Sequence, residues 1–267
     1  MLDVAVVGAS GRMGRAVIRC LAGTHGMRLA GAVTEVSDPD LGRDAGEVNG
    51  LPAAGVVLTD DAHAGLHNAQ VAIDFTLPSA TGANVAAAAA QGVALVIGTT
   101  GLGTDQTAAL RSGAQRIPIV YARNMSIGMA VFKDLVARAA GALDEDYDIE
   151  ILDAHHAGKV DAPSGTALEL GERVAAARGR PLDEVAVHAR HGQTGARERG
   201  AVGFSVIRAG RIVGDHSVLF AGAEERVELV HRAADRAVFA RGALRAAGWV
   251  VDQPPGLYSM EDVLGLK

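Results

Sequence analysis

The chain opens with MLDVAVVGASGRMG (residues 1–14), and the rest of its first half is organised around this segment. Asp3–Val7 is an apolar, Val-rich run that predicts a strand. Gly8, Gly11 and Gly14 follow with the spacing G-x-x-G-x-x-G, and Arg12–Ala22 has the pattern of a helix. Glycines at a strand-to-helix turn permit a tight bend, close backbone approach to a pyrophosphate, and close helix–strand packing. The N–H groups of the helix start and its dipole then favour an anion. A second strand is predicted over Arg28–Val33, and Glu35 lies at its end, 21 residues after Gly14. An acidic side chain there can accept hydrogen bonds from ribose hydroxyls. These features predict a dinucleotide site for NADH or NADPH. Glu35 repels a 2′-phosphate and Val36 offers no cation, although Arg12 in the glycine loop could pair with such a phosphate. NADH is therefore expected to serve at least as well as NADPH.

Outward from this segment, short apolar runs alternate with helical stretches. Strands are predicted at Val56–Thr59, Val71–Phe75, Ala94–Ile97 and Ile117–Tyr121, with helices at Ser79–Gln91 and Thr104–Arg116. This alternation predicts an α/β fold, a Rossmann-like doubly wound parallel sheet. Phe75-Thr76 and Gly98-Thr99-Thr100-Gly101 follow two of the strands, and ligands of such sheets bind beyond the carboxyl ends of strands.

After Asn124 the pattern changes. A helix is expected over Ile127–Leu143, a strand over Tyr147–Ala154 and a helix over Gly165–Ala177. Strand-like segments follow at Val185–Ala189, Val202–Arg208, Ile212–Leu219 and Val227–His231, with Ala209-Gly210 as a two-residue hairpin turn. They predict a second α+β domain with an open mixed sheet. A final helix over Asp235–Trp249 returns to the first domain. The expected boundaries are 1–126 with 237–267 for the dinucleotide domain and 127–236 for a substrate-binding and oligomerisation domain.

Composition narrows the class. A net charge of −6 and a pI near 5.8 argue against nucleic-acid or membrane-surface partners. No apolar run approaches the ~20 residues of a bilayer span. The N-terminus lacks a basic segment before its first strand, so a cytoplasmic protein is expected. The single cysteine, Cys20, excludes an internal disulfide and a Cys-rich zinc site; it falls on an apolar helix position that suits core packing.

Residues 155–167, HHAGKVDAPSGTA, form a second dense cluster. A metal site is not expected: adjacent histidines on extended chain point to opposite faces, and no H-x-x-x-H pair accompanies them. Ser164 is a good N-cap after Pro163, and the helix start at Ser164, Gly165 and Thr166 also makes a seat for a carboxylate or phosphate. Only three of the 25 Lys and Arg residues are lysines, and Lys159 is one of them. Lysine can give up a proton where arginine cannot. A lysine kept between two histidines and an anion seat points to proton donation to a small anionic substrate.

The segment EILDAHHAGKVDAPSGTAL resembles the signature of the dihydrodipicolinate reductase family, now called 4-hydroxy-tetrahydrodipicolinate reductases, of lysine and diaminopimelate synthesis. The resemblance continues, in order, through GASGRMG, DFT at 74–76, GTTG at 98–101, NMSIG at 124–128, RHGQTGAR at 190–197 and VGFSVIRAGRIVGDH at 202–216. It implies hydride reduction of a cyclic dicarboxylated substrate with loss of water. His155 and Lys159 would be catalytic; His156, Ser164, Gly165 and Thr166 would bind the substrate carboxylates. The cofactor would lie along Gly8, Ser10, Gly11, Arg12, Met13 and Glu35, then Phe75, Thr76, Gly98, Thr99 and Thr100, and finally Arg123, Asn124 and Met125. The resemblance also implies a homotetramer assembled through the open sheet. Family members that use NADPH well often carry a basic residue at the position of Val36. The competing readings are a nicotinamide-dependent reductase of another imine, an amino-acid dehydrogenase, or a nucleotide sensor without turnover. The intact His155, His156 and Lys159 argue against the last.

Overall fold

The computed structural model describes residues 1–266. They form two compact units, Met1–Ile127 with the chain from Arg236 onward, and Gly128–Asp235.

In the first unit β1 (Leu2–Val7), β2 (Met27–Val33), β3 (Leu58–Thr59), β4 (Val71–Asp74), β5 (Ala94–Ile97) and β6 (Pro118–Tyr121) are joined by helices. These are α1 (Arg12–Ala22), α2 (Ala62–Leu66), α3 (Pro78–Gln91) and α4 (Thr104–Gly113). All strand pairs are parallel and, with a C-terminal strand added beside β6, the order is β3-β2-β1-β4-β5-β6. β4 and β5 are buried at every position, as strands covered on both faces must be. Residues such as Ile73, Leu95 and Ile97, with no exposed surface, each contribute roughly 1.5–3 kcal/mol by leaving water. The chain leaves β1 toward β2 on one side and later returns to β4 on the other. The crevice between the carboxyl ends of β1 and β4 is therefore the switch point of the sheet.

The second unit begins with α5 (Ile127–Ala142), whose first residue belongs to the first unit. It continues with β7 (Asp148–His155), α6 (Gly165–Ala177), α7 (Leu182–Val185), β8 (Ala186–Val187), β9 (Val202–Arg208), β10 (Gly214–Ala221) and β11 (Arg226–Ala233). The sheet order is β11-β10-β7-β9-β8; β10 is antiparallel to its neighbours and the remaining pairs are parallel. Ile149, Ile151, Val202, Phe204, Val218 and Phe220 form one core with Met129, Phe132 and Val136 of α5 and Leu170 and Val174 of α6. The other face of the sheet bears a row formed by Val230, Ser217, Leu152 and Ser205, with Ile207 in the next row.

The first unit is completed by α8 (Ala237–Val250), β12 (Gly256–Tyr258) beside β6, and α9 (Met260–Leu264). Among the described residues no helix is long and apolar enough to cross a membrane.

Three sequence expectations are corrected. Ala209-Gly210 is not a hairpin turn, because β7 lies between β9 and β10. The link instead crosses the end of β7, where Ala209 N–H donates to the His155 carbonyl and Ala157 N–H to that of Gly210. Local sequence cannot reveal a strand that inserts from 50 residues upstream. Val185–Ala189 is not one strand: Pro181 starts a helical turn with Asp183 and Glu184 at its N-terminal end, leaving only Ala186–Val187 to pair. Of Val56–Thr59 only Leu58–Thr59 joins the sheet, while Val57 makes an isolated bridge to Asp44.

Candidate active site

Period-two alternation along β7 sends Ile149, Ile151, Asp153 and His155 to the helix-covered face. The first two are apolar and the last two polar, so the core gives way to a site at the strand's carboxyl end. Asp153 is fully buried. Its Oδ2 accepts hydrogen bonds from the Ser164 N–H (2.7 Å) and from Arg208 Nη2 (3.1 Å). Its Oδ1 lies 2.7 Å from His155 Nδ1, at ion-pair distance though not aligned for a straight hydrogen bond, and 3.6 Å from His216 Nε2. Burial works to raise the carboxyl's pKa, but His155, the Ser164 N–H and Arg208 outweigh it and hold the group well below the usual carboxylate range.

Register explains the convergence. Asp153 pairs with His216 of β10 on one side and Val206 of β9 on the other, and His155 pairs with Arg208. The rings of His155 and His216 meet edge to face with centroids 5.2 Å apart. Burial pushes the His216 imidazole down to about 4, so it is neutral at pH 7. Its Nε2 is 3.2 Å from Ser164 Oγ. A Cβ on Gly214 would lie 3.1 Å from His155 Nε2, so the absence of a side chain there leaves room for the ring.

The loop from His156 to Pro163 is held from outside the strand. Arg208 Nη2 also donates to the Asp161 carbonyl (2.6 Å), and Lys159 Nζ lies 2.8 Å from Asp161 Oδ1. Ser164 caps α6 by accepting the Ala167 N–H at Oγ. With that side chain only 2% exposed, the exposed part of the helix start is Gly165 and Thr166. Ligand atoms of Asp153, His155 and His216 lie within 4.8 Å of one another, three donors a metal could use. The carboxylate is already flanked by Arg208 and His155.

The first unit supplies a separate crevice. Gly8 has φ +78°, and both Gly8 and Ala9 donate N–H bonds to the Val33 carbonyl. A Cβ on Gly14 would overlap the Gly8 carbonyl, so helix and turn approach as closely as the sequence motif requires. Glycine at the N-cap of α1 leaves the first-turn N–H groups without a side-chain acceptor. Arg15 braces the turn from behind, donating to the Ser10 carbonyl (2.7 Å) and the Val48 carbonyl and pairing with Asp40 (2.7 Å). Ser10, Thr34 and Asp38 form a hydroxyl–carboxylate chain, while Glu35 and Arg12 are exposed. Across the switch point, Thr76 Cγ2 would be 3.1 Å from a Cβ on Gly8. Buried Asp74 fixes this loop by accepting bonds from Thr76 N–H and Asn84 Nδ2 (2.8 and 2.9 Å), and burial raises its pKa. The Phe75 ring covers Gly98, and Thr99 Oγ1 donates to the Thr76 carbonyl.

Comparison with known proteins identifies the family. Residues 2–125 match the family described as dihydrodipicolinate reductase, N-terminus, and residues 128–264 match its C-terminus. The chain belongs to the dihydrodipicolinate reductase family. It is 52% identical over 263 residues to a 4-hydroxy-tetrahydrodipicolinate reductase of Alkalilimnicola ehrlichii, covering 98% of each chain. It is 52% identical over 264 residues to the enzyme of that name from Thiobacillus denitrificans, covering 99% of this chain and 98% of the relative. The fold is similar to that of a dipicolinate-bound dihydrodipicolinate reductase from Paenisporosarcina sp. TG-14, with a TM-score of 0.76, 24% identity and 97% of both chains covered.

The residues expected from sequence for this reductase fall into the two places just described. His155 and Lys159, with His156, Ser164, Gly165 and Thr166, lie on the end of β7, the loop after it and the start of α6. Gly8, Ser10 and Gly11 lie in the turn after β1 and Arg12 and Met13 in the first turn of α1, while Glu35, Phe75, Thr76, Gly98, Thr99 and Thr100 lie in loops after β2, β4 and β5. Arg123 and Asn124 follow β6. Met125 is buried, with its carbonyl against Gly242 of α8. Asp153, Arg208 and His216 were not singled out by sequence. Asp153 was legible, since it stands two residues before His155 and shares its face; the other two are brought in by the pairing of His155 with Arg208 and of Asp153 with His216, far apart in sequence.

Proposed function

We propose that this chain catalyses the NAD(P)H-dependent reduction of 4-hydroxy-tetrahydrodipicolinate to tetrahydrodipicolinate with loss of water, in lysine and diaminopimelate biosynthesis. The observation that carries the proposal is the match of both halves to one family with His155, Lys159 and the Ser164–Thr166 helix start intact. The reaction consumes one hydride and one proton and releases one water. The glycine turn, with its positive φ at Gly8 and its side-chain-free contact at Gly14, fits a pyrophosphate, and Glu35 stands where ribose hydroxyls are read. Gly8, Ser10, Gly11, Arg12, Met13, Phe75, Thr76, Gly98, Thr99, Thr100, Arg123, Asn124 and Met125 would hold the rest of the cofactor. A reduced nicotinamide supplies the hydride when bound.

The protein's own work is to bind the dicarboxylate and manage charge and protons. The N–H groups at Gly165 and Thr166 donate to one carboxylate, with Ser164 shaping the turn from beneath and His156 contacting the carboxylates. Lys159 supplies the proton at Nζ, with Asp161 holding the ammonium in place. His155, braced at Nδ1 by Asp153, offers Nε2 toward charge that develops on the substrate ring. Lys159→Ala is expected to lower kcat by about 100- to 10,000-fold. A kcat within a few-fold of the wild type with a raised KM would reduce Lys159 to an anion binder.

NADH serves at least as well as NADPH, because Glu35 is exposed and Val36 provides no cation. The protein works in the cytoplasm without nucleic-acid partners. It assembles as a homotetramer through the outer face of the mixed sheet, where Leu152, Ile207 and Val230 are exposed.

A further inference from the structure

We propose that Asp153 is a positioning residue for the reaction: its fixed carboxylate sets which nitrogen of His155 carries the proton. The inference rests on the catalytic role of His155 proposed above.

The two oxygens of Asp153 have different tasks. Oδ2 is engaged by two donors that cannot be anything else, the Ser164 N–H and the Arg208 guanidinium. This orients the carboxylate, and Oδ1 is left facing His155 Nδ1 at 2.7 Å. A carboxylate oxygen is only an acceptor, so the proton of a neutral His155 belongs on Nδ1 and the lone pair on Nε2, beside Gly214. When His155 is protonated, the same carboxylate stabilises the imidazolium. The ring of His155 meets that of His216 of β10, which in turn feels Lys159 and His231 of β11, while Asp153 pairs with Arg208 of β9 and Lys159 with Asp161. His216 is neutral at pH 7. Asp153 is thus the buried anion of this group, and Asp161, half exposed, is paired with Lys159. The one carboxylate also ties His155 to the N-cap of α6, so it aligns the ring with the carboxylate seat.

Asp153→Asn separates position from charge. The amide oxygen remains with the two donors on the Oδ2 side, which turns the amide NH2 toward His155. An NH2 donor at that distance disfavours a proton on Nδ1, and the proton moves to Nε2. Two-bond ¹H–¹⁵N spectra of histidine-labelled protein at alkaline pH read this directly, with the His155 signals assigned by their loss in His155→Gln. The expected result is an Nδ1–H tautomer in the wild type and an Nε2–H tautomer in Asp153→Asn. Kinetically, kcat should fall by about 100- to 10,000-fold with KM within a few-fold, as when a comparable buried aspartate fixes a histidine tautomer. A wild-type Nε2–H tautomer, or a variant that keeps the wild-type tautomer, would overturn the proposal. If Asp153→Asn does not fold, the wild-type tautomer alone decides. Lack of wild-type turnover would count against the reductase reading and leave the tautomer result to stand.

Discussion

His216 and Asp153 both make stability fall on acidification, each in its own pH window. The His216 side chain is 3% exposed and its pKa falls from 6.5 to about 4, because burial penalises the cation more than Asp153 favours it. Its folded pKa lies below its unfolded value, so the unfolded chain binds the extra proton first as pH falls. Stability should therefore decline between pH 6.5 and about 4, by an amount on the order of 3 kcal/mol, and level off below. The lowered pKa of Asp153 acts in a separate window: its contribution is complete above the unfolded value of 3.8 and is lost as pH falls below it. Urea midpoints of the wild type and His216→Gln at pH 7.5 and 5 separate the two. The variant should lose most of the difference between those pH values; an unchanged slope would mean that His216 is hydrated and titrates normally.

Among the elements, β7 and α6 determine the site together. On its helix-covered face β7 is apolar at Ile149 and Ile151 and polar at Asp153 and His155, a change that alternation in YDIEILDAHH already displays. Sequence identified the helix start at Ser164 from cap chemistry, and the structure uses that cap twice: Oγ closes the first turn and also meets His216, while the N–H binds Asp153. Ser164→Ala should cost about 1 kcal/mol, seen as a lower thermal midpoint, with loss of activity beyond what the cap alone explains. An unchanged midpoint would mean that neither contact contributes to stability. What sequence did not reveal at this scale is which strands are neighbours. The Ala209-Gly210 turn has suitable residues for a hairpin, but β7 fills the gap with Ile149 and Ile151, whose burial against both neighbours outweighs any local turn preference. Arg208 and His216 reach the site only through that insertion.

For the molecule as a whole, the first unit was the more legible because parallel α/β sheets repeat one local rule: apolar strand, glycine or polar loop, helix. Gly8, Gly14 and Glu35 carry that rule with fixed spacing. The supports behind them, such as Arg15 with Asp40 and Asp74 with Asn84, depend on side chains meeting across loops and have no spacing signature. The chain belongs to the dihydrodipicolinate reductase family, and the proposed use of NADH rests on the exposed Glu35 and on Val36. The most direct test supplies the chain with substrate made in place by the preceding synthase and follows oxidation of reduced nicotinamide by its near-ultraviolet absorbance, with NADH and NADPH in parallel. The account predicts substrate-dependent oxidation, with kcat/KM for NADH equal to or above that for NADPH. Preference for NADPH by about ten-fold or more would contradict the cofactor assignment, and no turnover with either cofactor would contradict the function itself.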